Sequence, residues 1–285
     1  MYVKRYGVGE REFYFGLHGW SGDHRTFEPL AAHMPAQASL YSADLPGCGR
    51  SPAPRSLTLE SVTSEIVEAV ECTLADASAR TRVTLIGNCS GAILGLLAAE
   101  RIKARVGRLV LIDPFAYWPW YFRVFVAGSF GRHAYRTTFA NPLGRWLTNQ
   151  SLRSRRTAAT DLTHSFGRID HDVAQGYLAL LAQVEGVERF ESLRGVPVDI
   201  VYGERTFAAV KKSIVMWQSV WPQARTRVLR GAGHLPILEA TRQLAHVVFA
   251  DDERANDSTA ITTSATTETA SEAATRQARE SEARI

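Results

Sequence analysis

The chain has 285 residues, 45% of them apolar and with a formal net charge of +4, enough for one sizeable core or one core with an inserted subdomain. Cys48, Cys72 and Cys89 are scattered and odd in number, which argues against a disulfide framework or a zinc site, and no cofactor or metal motif is present. No run approaches a membrane span and the start MYVKR leads into Gly, Glu and Arg, so the expectation is a soluble, cytoplasmic protein.

Short apolar runs at 13–17, 38–43, 83–86, 109–112, 198–202 and 226–229 predict strands, and helix-length segments separate them. That alternation predicts a mostly parallel sheet with helices on both faces. The first run ends in Leu17-His18-Gly19-Trp20-Ser21-Gly22, a turn whose Trp20 N–H is free to face a reacting group. After the second comes Asp44-Leu45-Pro46-Gly47-Cys48-Gly49-Arg50-Ser51, a glycine-rich turn, followed by an amphipathic helix over 59–74.

The run at 83–86 leads into Gly87-Asn88-Cys89-Ser90-Gly91 and a small-residue helix over 90–102. Strand, sharp turn and helix are the context of a nucleophile elbow. Small residues two before and two after the centre let the backbone fold back and lift the central side chain, here Cys89, above the sheet edge. A thiolate at a helix N-terminus is favoured by the helix dipole and becomes a competent nucleophile when a histidine takes its proton. The N–H of Ser90, paired with that of Trp20, would form an oxyanion hole.

Residues 117–181 break the alternation. They open with Tyr117, Trp118, Trp120, Tyr121, Phe122, Phe125 and Phe130, and up to Asp170 hold eight arginines and two acids, predicting an apolar, basic helical insertion. Further on, Gly231-Ala232-Gly233-His234-Leu235-Pro236-Ile237-Leu238-Glu239 puts a histidine in a loop after the last strand. Residues 251–285, rich in Thr, Ala, Ser and Glu with a net charge of −4, read as a disordered tail, leaving the first 250 residues at +8.

The ordered set HGxxG, DxxGxGxS, GxCxG, a strand ending in Asp-Pro, YGE and GAGHxPxLE resembles the α/β-hydrolase superfamily over roughly residues 10–250. The resemblance implies an α/β-hydrolase core over 1–116 and 182–250, a helical cap or lid over 117–181, and a tail over 251–285. It implies Cys89 as nucleophile, His234 as general base, Trp20 and Ser90 as oxyanion donors, and His18, Gly19, Trp118 and Trp120 as substrate contacts. His24, His33, His133, His164, His171 and His246 match no position of the pattern.

The chain departs from that pattern at the third catalytic residue. Relatives with YGExD place the acid three after the glycine, and Thr206 stands there instead. Asp113, at the end of the strand after the elbow helix, and Glu204 are the two substitutes. Asp113 is preferred, because a strand end fixes a side chain better than a loop. A thiol also ionises far more readily than a hydroxyl and needs this acid less.

The expected activity is a Cys-dependent hydrolysis of carboxylic esters, thioesters or lactones with an apolar acyl group. An acyltransferase or cyclase acting on coenzyme A or acyl-carrier-protein thioesters is the alternative, and a non-catalytic ligand-binding member of the fold the second. Cap arginines, including Arg153, Arg155 and Arg156, would suit a phosphate-bearing or acidic partner. A nucleic-acid partner has no motif behind it, and no stable membrane insertion is expected.

Overall fold

The computed structural model describes residues 1–250 apart from Asp76 and Glu185, so the tail read at 251–285 lies outside the described residues. Met1–Leu244 form one compact unit. The described residues Ala245–Ala250 belong to a second and include the π-helical turn His246–Ala250.

Seven strands make one sheet in the order β1-β3-β2-β4-β5-β6-β7. They are β1 (Val3–Tyr6), β2 (Glu12–Leu17), β3 (Ala38–Ala43), β4 (Val83–Asn88), β5 (Val106–Ile112), β6 (Val198–Gly203) and β7 (Arg225–Leu229). Only β1 is antiparallel, pairing Val3 with Ala43 and Tyr6 with Leu40. The sequence reading missed it: its two middle residues, Lys4 and Arg5, face solvent, so no apolar run marks it. The central strands are legible because helices cover both faces of the sheet. In β4, for instance, Val83, Thr84, Leu85, Ile86 and Gly87 are all buried.

The helices are α1 (Glu28–Ala31), α2 (Leu59–Thr73), α3 (Ser90–Arg101), α4 (Trp120–Val124), α5 (Gly128–Tyr135), α6 (Pro142–Ser151), α7 (His171–Leu181), α8 (Ala208–Val220) and α9 (Pro236–Glu239), with shorter helical turns between them. α2 starts at a capping box in which Thr58 and Ser61 exchange side-chain and backbone hydrogen bonds, and buries Val62, Ile66, Ala69 and Val70 along one stripe. α3 is small-sided and buried from Ser90 to Ala99, so it lies close against β2, β4 and β5 and takes α2 on its outer side. α4 to α7 lie between β5 and β6, within the same compact unit as the sheet. A small cluster of Tyr135, Phe139, Phe166, Ala174 and Leu178 holds the insertion together, with Trp20 packed against it.

Strand order reverses between β2, which leads outward to β3, and β4 on its other side. A crevice opens at the carboxyl ends of strands at such a switch point. The register aligns those ends: Leu17 pairs with Gly87, and Asn88 with Ile112. The turns leaving β2, β4 and β5 therefore converge.

Candidate active site

Cys89 sits at the turn between β4 and α3 with φ +52° and ψ −114°, outside the regions an L-residue prefers. The fold holds it there from three sides. Its N–H donates to the Ile112 carbonyl at 2.8 Å. A Cβ at Gly87 would fall 2.3 Å from the Ala92 Cα, and one at Gly91 would fall 2.3 Å from the Leu17 carbonyl oxygen. Only glycines let the start of α3 close against β2. Ser21 (φ +65°) and Asp113 (φ +49°) are the other non-glycine residues with positive φ among the described residues, so all three strained positions belong to the turns around this site.

Asp113 follows β5 and is fully buried. Its N–H donates to the Val201 carbonyl at 2.8 Å, and its Oδ1 accepts the Gly203 N–H at 3.0 Å. Oδ2 lies 2.7 Å from His234 Nδ1 and also accepts the Thr206 hydroxyl. Thr206 Oγ1 is in turn 3.3 Å from the same ring nitrogen. Where the family pattern has an acid, this chain has a hydroxyl that donates to an acid from another strand. Glu204 is elsewhere: its Oε2 accepts the Gly231 N–H at 2.9 Å.

Asp113 and Cys89 both bear on the charge of His234. Burial disfavours its cation, but hydrogen bonds to Asp113 and Cys89 and the negative charge each can carry outweigh this, raising its pKa to about 10. Phe207 and Phe115 meet the ring edge-on at 4.6 and 6.0 Å. Burial, followed by the Asp44 charge, pushes the Cys48 thiol up to about 12, so that sulfur stays protonated at neutral pH.

The loop carrying His234 is anchored to the stretch of the insertion between α6 and α7, a contact the sequence reading did not foresee. The His234 N–H donates to the Arg155 carbonyl at 2.8 Å. Glu239 accepts from the Thr157 N–H at 2.6 Å, from the Thr160 hydroxyl and from the Gly233 N–H. Of the arginines expected to face a partner, Arg155 donates to the Thr206 carbonyl and Arg156 to those of Thr157 and Thr160. Arg153 is the exposed one of the three.

Trp20, Cys89 and Ser90 line one cavity. The rest of its wall is aromatic or aliphatic, including Phe115, Trp118, Phe122, Leu181, Phe190 and Trp217, and no described lining residue is charged. The backbone N–H groups of Trp20 and Ser90 have no acceptor among the described residues. A second cavity shares Trp20 and Ser90 with the first and is lined also by His18 and Gly19. His18 has no nitrogen to spare: Leu45 N–H donates to Nε2 at 3.0 Å, which puts the proton on Nδ1, 2.8 Å from the Gly19 carbonyl. Burial holds its pKa below the usual histidine range, so it is neutral. A Cβ at Gly19 would lie 3.1 Å from the Cys89 Cβ, so this turn is fitted against the elbow. Trp118 stacks on Phe122 at 4.9 Å inside the first cavity, whereas Trp120 is 76% exposed and outside it.

The glycine-rich turn after β3 is built around the buried Asp44, which accepts from the Arg50 N–H at 2.7 Å and from the His24 ring at 2.9 Å. Asp23, His24 and Asp44 are close enough to share an ion. Their ligating atoms are engaged in capping and turn hydrogen bonds, with Asp23 also held by Arg25. No helix among the described residues is long and apolar enough to cross a membrane.

A sequence model of the family described as alpha/beta hydrolase fold matches residues 16–241. The pimeloyl-[acyl-carrier protein] methyl ester esterase of Citrobacter koseri is 22% identical over 82% of this chain and 91% of its own. The enzyme of the same name from Neisseria meningitidis serogroup A is 24% identical over 80% and 73%. Among solved structures, the enol-lactonase of Burkholderia xenovorans superimposes with a TM-score of 0.65 at 17% identity, covering 87% of this chain and 94% of that one. MenH from S. aureus does so at 0.69 and 16%, covering 86% and 96%.

Proposed function

Because the chain belongs to the alpha/beta hydrolase family, we propose that it hydrolyses esters of an apolar acyl group through a thioester formed on Cys89. Esterases among its relatives support ester hydrolysis as the reaction class. The substrate those relatives are named for, a methyl ester of a pimeloyl group on an acyl carrier protein, supports an acyl methyl ester borne by a carrier protein or a small free ester. The observation that carries the reading is the pairing of His234 Nδ1 with the buried Asp113 at 2.7 Å, beside an elbow whose Cys89 adds to the support of the histidine's cation.

A histidine held charged to about pH 10 beside a thiol suits a thiolate–imidazolium pair. The thiolate attacks the ester carbonyl, and the oxyanion accepts from the Trp20 and Ser90 N–H groups. As the carbon–oxygen bond breaks, His234 gives its proton to the leaving oxygen, and the acyl group remains on sulfur. The now neutral imidazole takes a proton from water, whose oxygen attacks the thioester. The carbon–sulfur bond then breaks and the ion pair returns. Asp113 supports the imidazolium throughout and keeps Nδ1 turned towards itself.

The test is intact-mass analysis during turnover of p-nitrophenyl acyl esters. A transient adduct of one acyl group is expected on the wild type and none on Cys89→Ala, with a fall in rate of about ten-thousand-fold. An adduct that persists until an alcohol or thiol is added would mark an acyltransferase. Unchanged turnover by Cys89→Ala overturns the proposal.

A further inference from the structure

An amphipathic helix of a globular protein turns its apolar stripe towards the core. The helix α6 does the reverse. Its Leu143, Trp146 and Leu147 follow one another at the three- and four-residue spacing of a single helix face, and they are 62%, 57% and 54% exposed. The contacts are made by the opposite face. Gly144 lies so close to the Thr137 carbonyl that a Cβ there would collide with it, Arg145 donates to the Phe139 and Ala140 carbonyls at 3.1 and 3.0 Å, and Asn149 accepts the Leu162 N–H at 3.1 Å. The packing beneath α6 therefore fixes its apolar stripe towards solvent.

The surroundings continue the pattern. Thr137, beside Gly144, donates its hydroxyl to the His133 carbonyl at 2.9 Å, one turn of α5 from the exposed Phe130. Trp120 on α4 is exposed as well. Trp120, Phe130 and Trp146 are the exposed tryptophans and phenylalanines of the described residues, and all three belong to the insertion. The same stretch carries charge of one sign: residues 114–160 contain seven arginines and neither aspartate nor glutamate. Arg123, Arg132 and Arg153 are exposed and have no hydrogen-bond or ion-pair partner among the described residues. Arg153 stands in the helical turn that directly follows α6.

We propose that this face of the insertion adsorbs to a lipid surface bearing anionic headgroups. Leu143, Trp146 and Leu147 enter the boundary between headgroups and acyl chains, and the arginines meet lipid phosphate. The attachment is peripheral, since no helix among the described residues is long and apolar enough to cross a membrane. A fluid surface admits protruding indole and leucine side chains without a matching groove. A second copy of this chain fits less well, because it would bring two arginine-rich, acid-free segments face to face. An acidic protein would answer the arginines, whereas aromatic and leucine side chains spread over α4, α5 and α6 suit an extended apolar layer.

The test is sedimentation of the full chain with vesicles of phosphatidylcholine alone and of equimolar phosphatidylcholine and phosphatidylglycerol. Binding to the mixed vesicles is expected to be at least about 10-fold tighter than to phosphatidylcholine and to weaken as salt is raised. Trp146→Ser should weaken it about 10-fold and Arg153→Gln about fivefold at low salt. Val215→Ser, which removes an exposed apolar side chain from α8 instead, should leave it unchanged. Trp146→Ser is expected to keep its turnover of soluble p-nitrophenyl acetate, so that a lost fold is not mistaken for a lost surface. Equal vesicle binding by the wild type and Trp146→Ser overturns the proposal, as does no binding to anionic vesicles. In the latter case a dimer, or a complex with an acidic carrier protein, that Trp146→Ser abolishes would identify the occupant instead. Adsorption is read without turnover, so failure of the Cys89 mechanism would leave it untouched.

Discussion

Thr206 is the residue at which this site departs furthest from the pattern of its relatives. Its hydroxyl donates to the same Asp113 oxygen that faces His234, and it is fully buried. Thr206→Val keeps the shape and removes the bond, so Asp113 should lose one of its anchors. The expected cost is about 1–3 kcal/mol in urea-unfolding stability, with a fall in kcat larger than any change in KM. Asp113→Asn acts on the histidine. The folded pKa of His234 lies above its usual value of 6.5, at about 10, so the imidazolium that the proposed acylation requires is present below that pH and is lost as pH rises through it. A neutral amide in place of the carboxylate would supply less support to the cation. The alkaline limb of the acylation rate should therefore shift to lower pH, as read by single-turnover kinetics across the pH range. At this scale the sequence singled out Cys89 and His234 as candidates, because local motifs mark them. It left Asp113 and Glu204 open, and it showed nothing of the Thr206–Asp113 bond, which joins residues 93 positions apart. Nor could it show that Ser21, Cys89 and Asp113 share the left-handed backbone region, since none is a glycine.

Among the elements, the contact of α3 with β2 decides whether the elbow holds. Gly91→Ala would drive a methyl group into the Leu17 and His18 carbonyls, at 2.3 and 2.4 Å, and neither can move without disturbing the strand ladder. The expected loss is about 1–3 kcal/mol in thermal or denaturant unfolding, with Cys89 displaced and esterase activity falling further than stability alone explains. Buried strands and the small-residue helix were legible because burial on two faces leaves continuous apolar runs. β1 was not, since an edge strand needs only backbone pairing and its side chains are free to be charged. The insertion was recognisable from its missing strands. Its internal boundaries were not, because α6 has no fully buried residue and leaves Leu143, Trp146 and Leu147 exposed, so its apolar period does not mark a core face.

Across the whole molecule, Glu239 is the link that no local pattern explains. It closes the family-like GAGHxPxLE stretch, yet its carboxylate oxygens serve Thr157 and Thr160 of the insertion together with Gly233 beside the histidine. Glu239→Ala is expected to raise amide exchange at residues 155–160 and 231–234 together, while exchange in β4 and β5 stays unchanged. Ester turnover should fall about 10-fold or more, because a base displaced by an ångström loses its alignment.

The same link ties substrate entry to chemistry. The histidine's own N–H donates to the carbonyl of Arg155, which belongs to the same insertion as the cavity-lining Trp118 and Phe122. If the roof lifts far enough to admit a chain or release an acid, the relay is pulled out of alignment. If it settles, the relay is restored around whatever has been enclosed. An open enzyme is then a disarmed one, with its sulfur parted from its proton carrier while bulk solvent and stray electrophiles have access. On the proposed Cys89 mechanism, that arrangement protects the thiol from its own reactivity.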